Sequence, residues 1–270
     1  MADSDPPIDI AALQRSGLPS WVTRVIHRER VTSTMDVARE VARAGPEAAV
    51  LIIAEAQTAG RGRRGAPWIA TRRRGLTFTL LLTPEGGAGP PGLLSLASAL
   101  SVRAAVAEYC GDAVRTKWPN DVLVSGRKIA GVLIEALPGS GPPGAMSVGI
   151  GINVNQTRED LSTIRDRPAT SLAIETGRCH DRTTVLWRVL SAFGGLVDSG
   201  RRPLNDRVIQ QWRSADVCLG AKLRVRAEGR EFGAVGRGIT DEGLLVVNGE
   251  DNATRALASG EVQVVVDHSL

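Results

Sequence analysis

Two apolar runs stand out because polar positions scarcely interrupt them. AAVLIIAEAQ, beginning at Ala48, and GLTFTLLL, Gly75 to Leu82, are short and predict buried strands. STMDVAREVARAGP predicts a helix with both ends marked: Ser33 with Asp36 three residues on resembles a capping box, and Gly45-Pro46 stops it. LLSLASALSVRAAVAEYC, Leu93 to Cys110, is rich in helix formers and so sparse in polar residues that a mostly buried helix is expected. VRTKWPNDVLVSGRKIAGVLIEAL predicts a strand, a turn at Ser125-Gly126 and a returning strand, and AMSVGIGINVN a further strand. Helices are expected over Thr183 to Val197 and Asn205 to Ser214.

Past Val217 the texture changes. KLRVRA, REFGAVGRGIT, GLLVVNG and EVQVVV are separated by Glu228-Gly229, Asp241-Glu242-Gly243 and Asn248-Gly249, which predicts a compact antiparallel barrel. The first 20 residues hold Pro6, Pro7 and Pro19 and read as a loose lead-in, and PEGGAGPPG reads as a flexible connector. The expected organisation is a lead-in over 1–25, an α/β (α+β) unit over 26–216 and the small barrel over 217–270.

At 270 residues with 43% hydrophobic content, the chain can fill a real core. A net charge of +4 is too modest for a dedicated nucleic-acid binder. Three cysteines, far apart and odd in number, argue against a disulfide framework or a metal cluster, and three scattered histidines against a histidine-based triad. No apolar run reaches the roughly 18 residues of a membrane span, and MADSDPPIDI is not a secretion signal, so a cytoplasmic protein is expected. Of 33 basic residues only Lys117, Lys128 and Lys222 are lysines. Lysine and arginine do not exchange freely where geometry matters, which draws attention to those positions.

AGRGRRGAPW, Ala59 to Trp68, carries the GxGxxG spacing, but Gly65 opens no helix, so the dinucleotide reading fails on context. Two readings stay open for the loop itself. It is either a solvated basic loop or, if locally extended, a place where Arg61 and Arg63 project together and cradle a carboxylate or phosphate. KWPNDVLVSGRKIAG weighs towards an anionic ligand: two of the three lysines bracket a hairpin, with Asn120 and Asp121 between them. Lys128 supplies a movable positive charge for an oxygen that changes charge during reaction, and Asp121 is a candidate magnesium ligand.

At these residues the sequence resembles the biotin protein ligases. The likeness runs in order through STM at Ser33 to Met35, AEAQTAGRGRRGAPW at Ala54 to Trp68, KWPNDVLVSGRKIAGVLIE at Lys117 to Glu135 and GIGINVN at Gly149 to Asn155, and ends with GEV at Gly260 to Val262. The resemblance implies a mixed-sheet, class II synthetase-like catalytic domain followed by an SH3-like barrel. It implies that biotin and ATP with Mg2+ form biotinyl-AMP, from which biotin passes to a lysine of a biotin carboxyl carrier domain of an acyl-CoA carboxylase. It assigns Ser33, Thr34, Gln57, Arg61, Lys128 and Gly131 to biotin, and Arg63, Trp68, Lys117, Asn120 and Asn153 to the nucleotide. Lys128 and Arg63 become the catalytic pair and Asp121 faces the metal. The loop from about Gly60 to Leu76 is expected to order over the ligand.

Two departures matter: Met35 stands where the family usually has Asn, and Ala66 where it often has a basic residue. The 32 residues before Ser33 are too few for the winged helix-turn-helix of bifunctional members, so a monofunctional ligase is expected, without DNA binding and as a monomer or weak homodimer. Competing readings are a lipoate or octanoate ligase and, in another class, a nucleic-acid-binding regulator.

Overall fold

The computed structural model describes residues 5–45, 48–83, 90–138, 144–164, 167–197, 204–227, 229–251, 253–259 and 263–266. Strands β1 (Arg24–Arg28), β2 (Ala49–Ala54), β3 (Gly75–Leu82), β4 (Val114–Lys117), β5 (Asp121–Val124), β6 (Arg127–Ala136) and β7 (Met146–Asn153) form one sheet in the order β1-β2-β3-β7-β6-β5-β4. Only β1 and β2 run parallel; the other neighbours are antiparallel.

The unbroken apolar runs are explained by cover on both faces of the sheet. On one face α2 (Thr34–Ala44), following α1 (Ile10–Arg15), lays Ala38 and Ala42 on Val50, Ile52 and Leu81. On the other, α3 (Pro91–Cys110) and α6 (Arg182–Val197) close over Leu51, Ile53, Phe78, Leu80 and Ile150, with the short α4 (Arg158–Leu161) and α5 (Leu172–Thr176) between them in sequence. Each such side chain removed from water contributes about 1.5–3 kcal/mol before ordering costs. α3 is long and apolar enough to cross a membrane, contrary to the sequence reading, but its leucines pack into this core, as expected of a central helix.

The expected loose lead-in is instead clasped. Asp9 caps α1 by accepting from Ala12 N at 2.8 Å, and Leu13 is fully buried. The Glu55 carboxylate, also buried, accepts from Ile8 N at 2.7 Å, meets His27 Nε2 at 2.8 Å and pairs with Arg182 at 2.8 Å. Arg182 donates onward to the carbonyls of Pro6 at 2.6 Å and Gly75 at 3.1 Å. Burying two charges is costly unless the pair is well hydrogen-bonded, and here these contacts supply the compensation.

The C-terminal strands β8 (Lys222–Ala227), β9 (Arg230–Ile239), β10 (Leu245–Gly249), β11 (Thr254–Leu257) and β12 (Gln263–Val266) follow α7 (Leu204–Ala215). They form an open antiparallel sheet, β11-β10-β9-β8-β12, which corrects the expected barrel: among the described residues the edge strands β11 and β12 do not pair. The physical reason is where the apolar face goes. Leu223, Val225, Ala234, Ile239, Leu245 and Val247 join the same core as the large sheet, so closure over a private core is not needed. Trp118 Nε1 donates to Gly243 O at 3.1 Å across this junction. Gly260 to Val262 and residues 84–89 of the connector lie outside the described residues.

Candidate active site

Three glycines leave one area of the large sheet without side chains. Gly131 on β6 is paired with Gly151 on β7, and Gly149 lies two residues before Gly151 on the same face. A Cβ at Gly151 would come within 2.2 Å of Trp68 Cε2, one at Gly149 within 2.7 Å of Met35 Sδ, and one at Gly131 within 3.0 Å of Lys128 Nζ. The absence of β-carbons is therefore what lets an indole, a thioether and an ammonium converge directly on the backbone. Lys128 Nζ also lies 5.8 Å from the centre of a Trp68 ring.

The start of α2 forms one wall. Ser33 caps it through Met35 N at 3.3 Å. The expected capping box is not made, because Asp36 turns away to Thr32 at 2.8 Å and to Arg61 at 2.7 Å. Thr34 donates through N and Oγ1 to Gln57 Oε1 at 2.8 and 3.1 Å, and Thr79 Oγ1 lies 2.7 Å from Thr34 Oγ1. Ser33 and Thr34 are buried, so this hydroxyl and amide cluster is held with little freedom at the edge of the glycine floor.

Residues 60–68 double back rather than run extended: Gly62 N donates to Ala66 O at 2.7 Å and Trp68 N to Gly60 O at 2.9 Å. Arg64 at the tip has a φ of 57°. The loop thus separates its arginines instead of pairing them on one side, which corrects the extended picture. Arg61 points to Asp36, whereas Arg63 reaches Asn120 Oδ1 at 3.4 Å and the carbonyl of Ser259 beyond β11. Burial pushes the Arg63 guanidinium pKa below its ordinary value, with Asp121 acting against that shift.

A β-bulge aims Lys128. Between β5 and β6, Val122 pairs with Ala130 but Leu123 pairs with Lys128, so Ile129 is the extra residue and the alternation resets there. Without it Lys128 would face the core side with Ala130. With it, Ile129 is buried with Ala130 and the Lys128 side chain lies over Gly131, bonded to the Asp121 carboxylate. Burial pulls the Lys128 pKa down from 10.5, and Asp121 partly restores it. If the ammonium is the working form, the alkaline limb of kcat/KM should fall below the ordinary lysine range, and Asp121→Asn should move it lower still. A pH profile of the two proteins checks both statements; an Asp121→Asn limb at the same or higher pH would contradict them.

Asn120 and Asn153 are buried, and each is anchored by its amide. Asn120 Nδ2 donates to Val132 O at 2.6 Å, and Asn153 Nδ2 to Thr170 O at 2.9 Å. Lys117 ends β4 opposite Asp121 and is half-buried. The structure gathers Lys128, Gly131, Trp68, Arg63, Asn120 and Asp121 through direct contacts or adjoining positions; Ser33, Thr34, Gln57 and Arg61 form the neighbouring wall around Asp36. The residues the sequence reading missed are Gly149, Gly151, Thr79, Asp36 and Ser259. The GxG spacing in GIGIN signals an emptied strand face for the two glycines; nothing local announces the other three. No cluster of three or more His, Cys, Asp or Glu side chains suited to a metal occurs among the described residues.

Comparison with known proteins gives a consistent result. Residues 27–153 match the biotin/lipoate A/B protein ligase family and residues 219–265 the biotin protein ligase C terminal domain. The chain is 35% identical to the biotin--[acetyl-CoA-carboxylase] ligase of Paracoccus denitrificans over 73% of this chain and 83% of that one. It is 30% identical to the protein of the same name from Mycobacterium tuberculosis over 97% and 98% of the two chains. Its fold superposes on biotin protein ligase from Aquifex aeolicus in complex with biotin and ATP with a TM-score of 0.75 at 28% identity, covering 91% of this chain and 100% of the other.

Proposed function

Because this chain belongs to the biotin protein ligase family, we propose that it activates biotin with ATP and transfers it to a lysine of a carboxylase carrier domain. In the first step a biotin carboxylate oxygen attacks the α-phosphorus of ATP and pyrophosphate leaves. In the second, the carrier lysine amine attacks the acyl carbon, AMP leaves and a proton is lost from nitrogen. Neither step needs an enzyme nucleophile; both need charge held in place.

The observation that carries this reading is the Lys128 ammonium, turned by the bulge onto a glycine floor beside Trp68. In this position it would neutralise the carboxylate and α-phosphate oxygens as they meet. The floor suits a flat apolar ring, and the Ser33, Thr34 and Gln57 cluster offers donors and acceptors for a ureido group. We assign Trp68, Lys117, Asn120 and Asn153 to the nucleotide, with 26–216 as the catalytic unit and 217–270 as the unit bracing its phosphate side through Arg63. Asp121 is a lone carboxylate already bonded to Lys128, a poor donor set for a resident cation. The divalent ion would therefore enter with the nucleotide's phosphates, where magnesium keeps several of its waters. Three unpaired cysteines suit a reducing cytoplasm.

The purified protein, given biotin, Mg-ATP and a carrier domain, should add one biotinyl group to the carrier, as read by intact mass. A carrier that stays unmodified, or that accepts lipoate in preference, would overturn the assignment. Arg63 spans the loop, Asn120 and Ser259, so Arg63→Gly should shorten the life of the bound adenylate by about tenfold or more, the value of one hydrogen bond to a charged group. Single-turnover chase with unlabelled biotin measures that lifetime.

A further inference from the structure

We infer that Gln156 is a positioning residue that makes the nucleotide site select adenine over guanine, by locking which way round the Asn153 amide is held. The inference rests on the assignment of Asn153 to the base. Asn153 Nδ2 donates to Thr170 O at 2.9 Å, and Asn153 Oδ1 accepts from Gln156 Nε2 at 3.3 Å. An amide has two N–H donors and two acceptor lone pairs. One of each is used internally, so one of each remains, in a fixed order.

That order discriminates. Adenine presents an N6–H donor beside the N7 acceptor, whereas guanine presents O6 and N7, both acceptors. A locked Oδ1 receives adenine N6–H but faces guanine O6 with a second acceptor. Were the amide free to rotate by half a turn, Nδ2 could donate to guanine O6 and the discrimination at the 6-position would be lost.

The lock is itself held firmly. Gln156 is 1% exposed, its carbonyl accepts from Ser171 Oγ at 2.6 Å, and its Nε2 lies 2.6 Å from where a Cβ on Gly75 would stand. Its Oε1 is buried with no hydrogen-bond partner among the described residues. Turning the side chain over would bring that oxygen against Asn153 Oδ1, acceptor to acceptor, so the observed orientation is the one that gains a bond. An apolar side chain would fill the space without leaving a polar atom unpaired; what glutamine adds is the donor aimed at Asn153. Thr170, the other end of the lock, also donates from its N to Lys128 O at 2.9 Å, which ties the base contact to the backbone of the reacting centre's lysine.

The test measures pyrophosphate release with ATP or GTP varied at saturating biotin, and with biotin varied at saturating ATP, in wild type, Gln156→Glu, Gln156→Met and Gly75→Ala, the last pressing a methyl group on Gln156 Nε2. We expect the ATP-over-GTP ratio of kcat/KM to fall about tenfold, the value of one buried hydrogen-bond preference, with the biotin KM unchanged and the loss carried by the nucleotide KM. An unchanged ratio in the folded variants, or biotin and ATP KM rising together, overturns the proposal and leaves Gln156 a packing residue. A wild type inert with biotin and ATP would instead strike the underlying function.

Discussion

Lys128→Ala should lower biotin-dependent pyrophosphate release by about 10²–10³-fold, the usual loss when one preorganised charge stabiliser is removed. The bulge at Ile129 places the ammonium over Gly131 rather than in the core, and no other lysine shares that floor among the described residues. The same truncation leaves the half-buried Asp121 carboxylate without its Lys128 partner, so some stability is lost as well, and the two effects must be separated. The double variant Lys128→Met with Asp121→Asn removes both charges while keeping volume. Its thermal midpoint should recover towards wild type while its activity stays lost. Activity returning with stability would mean that Lys128 serves the fold alone; normal turnover in Lys128→Ala would remove it from the chemistry.

The second large effect is expected at Gly151. A Cβ there would sit within 2.2–2.5 Å of three indole atoms of Trp68, closer than any real contact. Trp68 belongs to a loop that folds on itself, so the folded chain can relieve the clash by moving the ring. Gly151→Val should therefore fold, and a β-branched residue suits a strand. The displaced ring, however, would have to take up room beside Lys128 and Gly131, which it already adjoins. We expect biotin affinity to drop about 100-fold, an overpacking penalty near 3 kcal/mol, with Gly151→Ala intermediate. Calorimetric titration with biotin reads the loss, and undiminished binding by Gly151→Val would place the vitamin elsewhere.

The legibility of the site divides by range. Trp68, Arg63, Asn120, Asp121 and Lys128 could be singled out in the sequence because they stand in two dense local motifs, and the strand ending in Asn153 because its apolar texture is local too. The arrangement of the arginines could not. An extended loop would have set Arg61 and Arg63 side by side, but backbone bonds within 60–68 send one to Asp36 and the other to Asn120 and Ser259. Asp36 looked like a helix cap from its spacing to Ser33; the nearby guanidinium is a stronger partner for a carboxylate than a backbone N–H, and only the fold brings it close. Gln156 gave no signal at all, since its role depends on Gly75, a residue distant in the chain that leaves room for it.

By itself the sequence determined the chain's elements and its chemical inventory: β2 and β3 from unbroken apolar runs, α3 from its composition, and an arginine-rich chain with two of its three lysines bracketing one hairpin. These depend on neighbours a few residues apart, where spacing and side-chain type carry the physics. Tertiary structure decided the rest. Strand register set Gly131 against Gly151, one extra residue turned Lys128 over the glycine face, the lead-in was clasped by Glu55 and Arg182, and the C-terminal sheet laid its apolar face on the common core instead of closing. Each of these outcomes is a choice between competing long-range contacts, and such contacts have energies only once the chain has folded.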